Sequence, residues 1–525
     1  MPEQTQRWRL SRRGFLIGLG ATGAALTLGV TVGLPYARLQ IAGFLAEGSG
    51  PPGGIDAPPT TWFEITPDNR IRLFIPKIEM GQGVHTSLAQ IGAEELGITW
   101  EQLDVVQAST NSGLVDSTGT SASNSVSSLF MPLREAAATL REMLRAEAAR
   151  QLGVPAAALV AVEGMMRVAD APGQALTYGE IVAAKSGEWE TPETAPPLKP
   201  RSEFQFIGQP LPRVDFAAKL TGQATYGYDA RLPGMLYGAV VHPPTLSATL
   251  KSAASGAAAE QPGVVQIVAE KDFAGVAAET RRAASLGAAA LDVSWEDGEA
   301  WQQETLEAMV TVGEGKPVVI QKEGDAAANL AQGTPILAEY RTPFAAHAHL
   351  EPQAALVDVQ PDKVTAWVST QSAYLVRSEI ADALGRDEET VEVIPTYLGG
   401  GFGRRLNVKV AIEAARLSAA AGRPVHVGWS RQDEFQHGYL RPPTHHVLKA
   451  VVDANGRMQA MEHQQASGDV ALPFLPGIAG AVLGADFGAT RGAHIIYAVP
   501  HRRTVALRAK LPVPTGWWRG LGLLP

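Results

Sequence analysis

A loop-rich mixed α/β fold is what this sequence predicts, and three observations predict it. The chain has 525 residues, room for about two to four domains with separate cores. Its 54 glycines and 36 prolines interrupt it too often for a helical bundle. Apolar runs of period two alternate with runs of helical spacing along most of its length.

The elements follow in order. Ile71, Leu73 and Ile75 alternate as a strand that runs into the turn Met80-Gly81-Gln82-Gly83. A helix is expected over His85–Leu96 and a strand over Leu103–Val106. Leu133, Leu140, Leu144 and Ala148 share one face of a helix over Met131–Leu152, whose arginines and glutamates read as a solvated face. Six prolines between Lys185 and Arg213 mark a domain boundary. Val264–Val268, an Ala-rich helix and Leu291, Val293 and Trp295 then make a compact strand–helix–strand unit. A hairpin turns at Pro361-Asp362, a helix follows over Asn407–Ala421 and a strand over Val425–Val427. A second hairpin turns at Asp453-Ala454-Asn455-Gly456.

Composition excludes some functions. A net charge of −9 without a basic stripe argues against nucleic acid as a partner. The absence of cysteine rules out a disulfide framework, a thiolate nucleophile and a cysteine-held iron–sulfur cluster in this chain.

The most informative stretch is Gly399-Gly400-Gly401-Phe402-Gly403-Arg404-Arg405, which follows the β-rich run Val391, Val393, Ile394. Without Cβ atoms the backbone amides there can approach an anion or a metal centre directly, with Phe402 as an apolar plate. The bland alternative is a tight strand-to-helix turn. Read together with Met80-Gly81-Gln82-Gly83-Val84-His85, the stretch resembles the molybdopterin-binding large subunit of the xanthine dehydrogenase and aldehyde oxidase family. The branch it is most similar to is that of the isoquinoline 1-oxidoreductase β-subunit and the membrane-associated aldehyde dehydrogenases. Thr221–Asp229 and Leu232–Gly238 resemble the opening of that family's small α/β hammerhead domain. Pro514-Thr515-Gly516-Trp517-Trp518-Arg519-Gly520-Leu521-Gly522 resembles its arginine loop on the substrate side of the metal.

The resemblance implies a molybdopterin-binding domain with an inserted hammerhead, incomplete at its C-terminus. Its divisions fall at residues 61–184, 214–330 and 331–525, with a Pro-rich linker over 185–213. It implies that molybdenum is held by the dithiolene of a pterin and not by a protein side chain. Gly81, Gln82, Gly83, Gly399, Gly400, Gly401, Phe402 and Gly403 then hold the cofactor. Gln82 donates a hydrogen bond to the metal centre, or else only caps the following helix; Phe402 shapes the substrate side. Arg404 and Arg405 either neutralise the pyrophosphate of a cytosine dinucleotide form or form a solvated face. Arg519 orients substrate, or is an inert surface arginine. His347-Ala348-His349-Leu350-Glu351-Pro352 reads as a strand at the active-site wall; two histidines there, even with His445-His446, make a poor zinc site.

The expected reaction is oxidation of an aldehyde or N-heteroaromatic compound with water as the oxygen source. Electrons would pass to a [2Fe–2S] partner subunit and then to a cytochrome c subunit or a quinone. The family's general-base glutamate lies beyond the matching region, and no carboxylate here takes its place by motif. The strand Val505–Leu511 and its neighbouring tryptophans are therefore expected to seek partners. A separate polypeptide completing a split enzyme is one reading, and a non-catalytic binding or scaffold remnant is the other.

Residues 1–37 read as a leader and 38–60 as a Gly/Pro-rich linker. Ser11-Arg12-Arg13-Gly14-Phe15-Leu16 resembles the twin-arginine export motif and precedes an uncharged run to Leu34. Export to the periplasm is expected, with an uncleaved leader or a plain membrane anchor as the alternative. Gly18-Leu19-Gly20-Ala21-Thr22-Gly23 matches a dinucleotide signature but has no preceding strand, so a nicotinamide enzyme is not supported.

Overall fold

The computed structural model describes residues 58–114, 116, 119–192, 194–474 and 483–521. The leader, most of the linker after it and Gly522 lie outside the described residues. No helix among the described residues is long and apolar enough to cross a membrane.

The first unit packs two helices on a three-stranded sheet. Strand β2 (Ile71–Ile75) lies between β1 (Phe63–Ile65) and β3 (Leu103–Gln107), antiparallel to the first and parallel to the second. Its alternation buries Ile71, Leu73 and Ile75 and turns Arg72 outward. Helix α1 (Val84–Leu96) buries Leu88, Ile91 and Leu96 against Leu129, Leu133 and Leu144 of α2 (Ser125–Leu152). Each such leucine contributes about 2 kcal/mol. A small meander of β4 (Leu159–Val162), β5 (Met165–Val168) and β6 (Ala171–Thr177) closes the unit.

Helix α2 differs from expectation in two respects. It begins at Ser125, ahead of Met131, and carries Pro132 within it. Its charges are not simply a solvated face, because Arg134 and Arg141 are buried and converge on Glu95 of α1, which is 0% exposed. The Pro-rich segment is bound to the same place. Glu95 accepts from Lys199 N at 3.1 Å, and Glu94 accepts from the amides of Gln205, Phe206 and Ile207 at 2.8–3.1 Å. Extended, proline-interrupted backbone cannot bond to itself, so two buried carboxylates satisfy it.

The second unit is a seven-stranded sheet. Its order is β16 (Val391–Pro395), β15 (Val364–Val368), β14 (Ala354–Val359), β17 (Val425–Gly428), β7 (Leu236–Val240), β10 (Phe273–Ala278) and β9 (Val264–Glu270). Helices α3 (Arg281–Ala289), α4 (Ala373–Leu384) and α5 (Lys409–Ala421) pack on it. The segment 214–330 is therefore not self-contained: β7 pairs in parallel with β17, which joins it to residues 331–525 in one continuous sheet. Gly238 makes this possible, since a Cβ there would stand 2.6 Å from Leu417 Cδ1. Only the pair β8 (Thr249–Ala254) and β11 (Asp292–Glu296) stands apart. The hairpin at Pro361-Asp362 joins β14 to β15 as expected.

The third sheet runs β12 (Pro317–Glu323), β20 (His501–Arg508), β19 (Met458–Ser467), β18 (Thr444–Val452) and β13 (Ile336–Thr342). The strand over Val505–Leu511 does not lack partners. It begins at His501, pairs with both β19 and β12, and buries Val505 and Leu507. The expected hairpin joins β18 to β19.

Candidate functional site

The turn after β2 is built on Glu79, a buried carboxylate absent from the sequence-derived set. Its Oε1 accepts from Gly81 N at 2.9 Å and Gly83 N at 3.0 Å, and its Oε2 from His85 N at 3.3 Å. Arg213 reaches the same Oε1 at 3.2 Å and also pairs with Asp215. Burial opposes ionisation of Asp215, but bonds from Arg213 and Lys219 hold its carboxyl below the usual range.

Gln82 caps neither the following helix nor solvent alone. Its Oε1 accepts from Met80 N at 2.7 Å and its Nε2 donates to Ile78 O at 2.8 Å. A primary amide has two N–H bonds, so one donor remains on this exposed side chain.

The glycine loop is suspended from three segments. Gly399 N donates to Glu351 Oε2 at 2.9 Å, and Gly403 N to Gln371 Oε1 at 2.9 Å. Tyr439 Oη donates to Gly403 O at 2.5 Å. Gly400, Gly401 and Phe402 are left with no acceptor for their backbone N–H among the described residues. Three successive backbone donors, one on the buried Gly401, thus have no acceptor among the described residues. Phe402 sits at φ 56° and is 38% exposed.

This loop and the Met80 turn, remote in sequence, are in contact. A Cβ on Gly401 would stand 2.7 Å from Met80 Sδ and 2.7 Å from Gln371 Oε1. Leu398 N donates to Glu79 O at 3.3 Å. The third motif joins from the other side: a Cβ on Gly403 would stand 2.6 Å from Trp517 O, and His347 Nε2 bonds that oxygen at 2.6 Å. Arg519 is exposed at the edge of this segment. We expect Gly403→Ala, with φ 96° and a backbone oxygen in the way, to destabilise the chain by roughly 1–3 kcal/mol. Loss of near-ultraviolet dichroism from Trp517, which stacks on Phe474, is the check.

The arginine pair is neither a solvated face nor a free phosphate clamp. Arg405 is 0% exposed and donates to Gly400 O at 2.8 Å, to Ser369 O and Oγ, and to Glu351 O and Oε2. Every guanidinium nitrogen is thus engaged with protein. Arg404 is buried between the rings of Trp429 and Tyr439 and faces Glu434 at 3.3 Å. Arg405 is structural because the inward-bent carbonyl of Gly400 needs a buried donor, whereas the Arg404 guanidinium donates to Asn407 O at 3.3 Å.

His347–Pro352 is irregular backbone, not a strand. His347 turns to Trp517, and His349 approaches Glu434 at 3.5 Å, so the two histidines diverge and make no joint metal site. Burial holds His347 down to about 4, neutral at ordinary pH. His445 and His446 are occupied by Glu339 and His463 respectively. A cavity of about 570 Å³ lies behind the Met80 turn, lined by His85, Gln107, Thr225, Trp367 and Tyr397; neither Gln82 nor Phe402 lines it.

Glu79 and Gln371 escaped sequence reading because each acts on a loop from outside its motif, while Glu351 was read only as part of the His347–Pro352 wall. The one signal for Glu79 was its place directly before the glycine turn.

Two family models, each described as a molybdopterin cofactor-binding domain, match residues 41–230 and 312–514. The chain is 32% identical to a nicotinate dehydrogenase subunit from Pseudomonas putida over 70% of this chain and 32% of that protein. It is 29% identical to the isoquinoline 1-oxidoreductase β-subunit of Brevundimonas diminuta, over 100% of this chain and 72% of the relative. It is 32% identical to the membrane-bound aldehyde dehydrogenase of Gluconacetobacter polyoxogenes, over 87% and 60% respectively. The chain thus spans well under two thirds of the first of these relatives and 60% of the third. Among solved structures, aldehyde oxidoreductase from Desulfovibrio gigas superposes with a TM-score of 0.50 at 21% identity, covering 59% of this chain and 39% of that one; this shows the fold alone. Two matched cofactor-binding segments and two joined glycine turns lead to one conclusion: the chain belongs to the xanthine dehydrogenase family of molybdopterin-binding oxidoreductase large subunits.

Proposed function

We propose that this chain is the large subunit of an exported molybdenum hydroxylase acting on an aldehyde or an N-heteroaromatic compound. The observation that carries the reading is the run of free backbone donors at Gly400–Phe402 beside the Met80 turn. Such donors, with no thiolate in the chain, suit a metal held by its own pterin ligand.

In this reading Gly400, Gly401 and Phe402 hold the cofactor through their amides, and Phe402 presents its ring to the substrate. Gln82 keeps its free N–H for negative charge that develops on oxygen during reaction, a neutral donor that does not titrate. Arg519 orients a substrate heteroatom. The bound cofactor supplies two-electron oxidation with water as the oxygen source. Electrons leave to a [2Fe–2S] subunit, then to a cytochrome c subunit or a quinone. The cofactor is taken as the cytosine dinucleotide form, although Arg405 has no guanidinium edge left to neutralise its pyrophosphate. The resemblance of Ser11–Leu16 to an export motif supports twin-arginine export to the periplasm.

The test is to co-express the chain with its neighbouring subunits and measure molybdenum and pterin fluorescence together. Both are expected in the purified complex, and absence of both leaves the binding or scaffold reading. Gln82→Ala is expected to retain both while lowering turnover about 100-fold. Unchanged turnover would remove Gln82 from the mechanism.

A further inference from the structure

A cluster of side chains able to ligate a metal lies beside the helix whose Glu434 faces Arg404. Helix α6 (Arg431–His437) turns Glu434 inward, where it accepts from Gln353 N at 2.6 Å and faces Arg404. Asp433 and His437 are spaced i, i+4 on this helix, so they share a face. His242, just after β7, meets them there. Each of the three offers a ligand atom, and these atoms lie within 4.8 Å of one another.

The surroundings are already arranged for a cation. His242 Nε2 bonds Glu413 Oε1 at 2.8 Å, and Trp429 Nε1 donates to Glu413 Oε2 at 2.7 Å. A histidine whose one nitrogen is fixed by a carboxylate presents the other as a ligand, an arrangement typical of metal-binding histidines. That other atom, Nδ1, lies 3.6 Å from Asp433 Oδ1. Two ligands at about 2.0–2.1 Å from a tetrahedral zinc stand about 3.3–3.4 Å apart, so the separation needs only a small closure. Asp433 Oδ2 is taken up by the N and Oγ of Ser430, which leaves Oδ1 directed at the cluster. The ring of His437 lies 4.5 Å from that of His242 and has no hydrogen-bond partner among the described residues.

We propose that His242, Asp433 and His437 bind a zinc-class divalent metal ion, with Glu413 as the positioning carboxylate behind His242. Two imidazoles and a carboxylate suit zinc over calcium or magnesium, and three protein ligands leave a fourth position for water. The ion would join the exit of β7 to α6, and through Glu434 brace the floor beneath Arg404 and Gln353. This site is independent of the molybdenum reading, since none of its ligands belongs to the glycine loop or the Met80 turn.

The full-length chain, stripped with a chelator and dialysed, is titrated with zinc and separately with cobalt as a spectroscopic probe. One zinc per chain is expected, with visible absorption of four-coordinate cobalt and a raised melting temperature. X-ray absorption at the zinc edge should show two imidazoles among the ligands. His437→Ala should weaken zinc binding at least 10-fold, and Glu413→Gln about 10-fold or more. If His437→Ala does not fold, His437→Gln replaces it, and the absorption spectrum of the unaltered chain decides by itself. Binding no tighter than to surface carboxylates, or zinc ligated by oxygen alone, overturns the site. So does affinity indifferent to His437, whatever the molybdenum content proves to be.

Discussion

Arg405→Met is expected to destabilise the 331–525 segment by about 3–5 kcal/mol, the cost of leaving a buried partner charge uncompensated. The guanidinium links Gly400, Ser369 and Glu351, three pieces of chain, through one buried side chain. Without it Glu351 keeps a carboxylate with no countercharge, and the carbonyls of Ser369 and Gly400 face an apolar side chain. Arg405→Lys is expected to fail nearly as badly, because one ammonium cannot reach three segments with a planar fork. Urea denaturation followed by tryptophan fluorescence measures both. A midpoint within error of the unaltered protein would show that Glu351 finds another partner.

Glu95→Ala should act as strongly on the first unit. This carboxylate is 0% exposed and receives Arg134 at 2.6 Å, Arg141 at 3.0 Å and Lys199 N at 3.1 Å. Its removal leaves two buried guanidinium groups of α2 without the carboxylate of α1 that they share, at a cost of about 3–5 kcal/mol. The Pro-rich segment would also lose the anchor at Lys199 N. Limited proteolysis should then cleave within 185–213 faster than in the unaltered chain, and the melting temperature should fall in parallel. Glu95→Gln should be intermediate, since an amide oxygen still accepts but carries no charge.

The two cases mark the boundary of what was legible in advance. Strands and helices were legible where one face meets a core: Ile71–Ile75, α1, the hairpins at Pro361-Asp362 and Asp453–Gly456. The glycine turns were legible because a backbone without Cβ atoms is conspicuous in sequence. The charged residues were not. Arg134, Arg141, Arg404 and Arg405 carry the pattern of surface residues, and only the positions of Glu95, Glu434 and Glu351 make burial tolerable. His242, Asp433 and His437 were missed for the same reason, being nearly 200 residues apart at their widest.

Local spacing and composition by themselves determined the mixed fold, the glycine turns and the exclusion of any cysteine ligand. Hydrophobic periodicity and glycine content are properties of short windows, so no folding had to be known. Tertiary structure alone decided which amides of those turns stay free, that Gln82 commits half its amide to its own loop, and which arginines are structural. A hydrogen bond or ion pair forms between partners brought within about 3 Å, and here those partners come from distant stretches of chain.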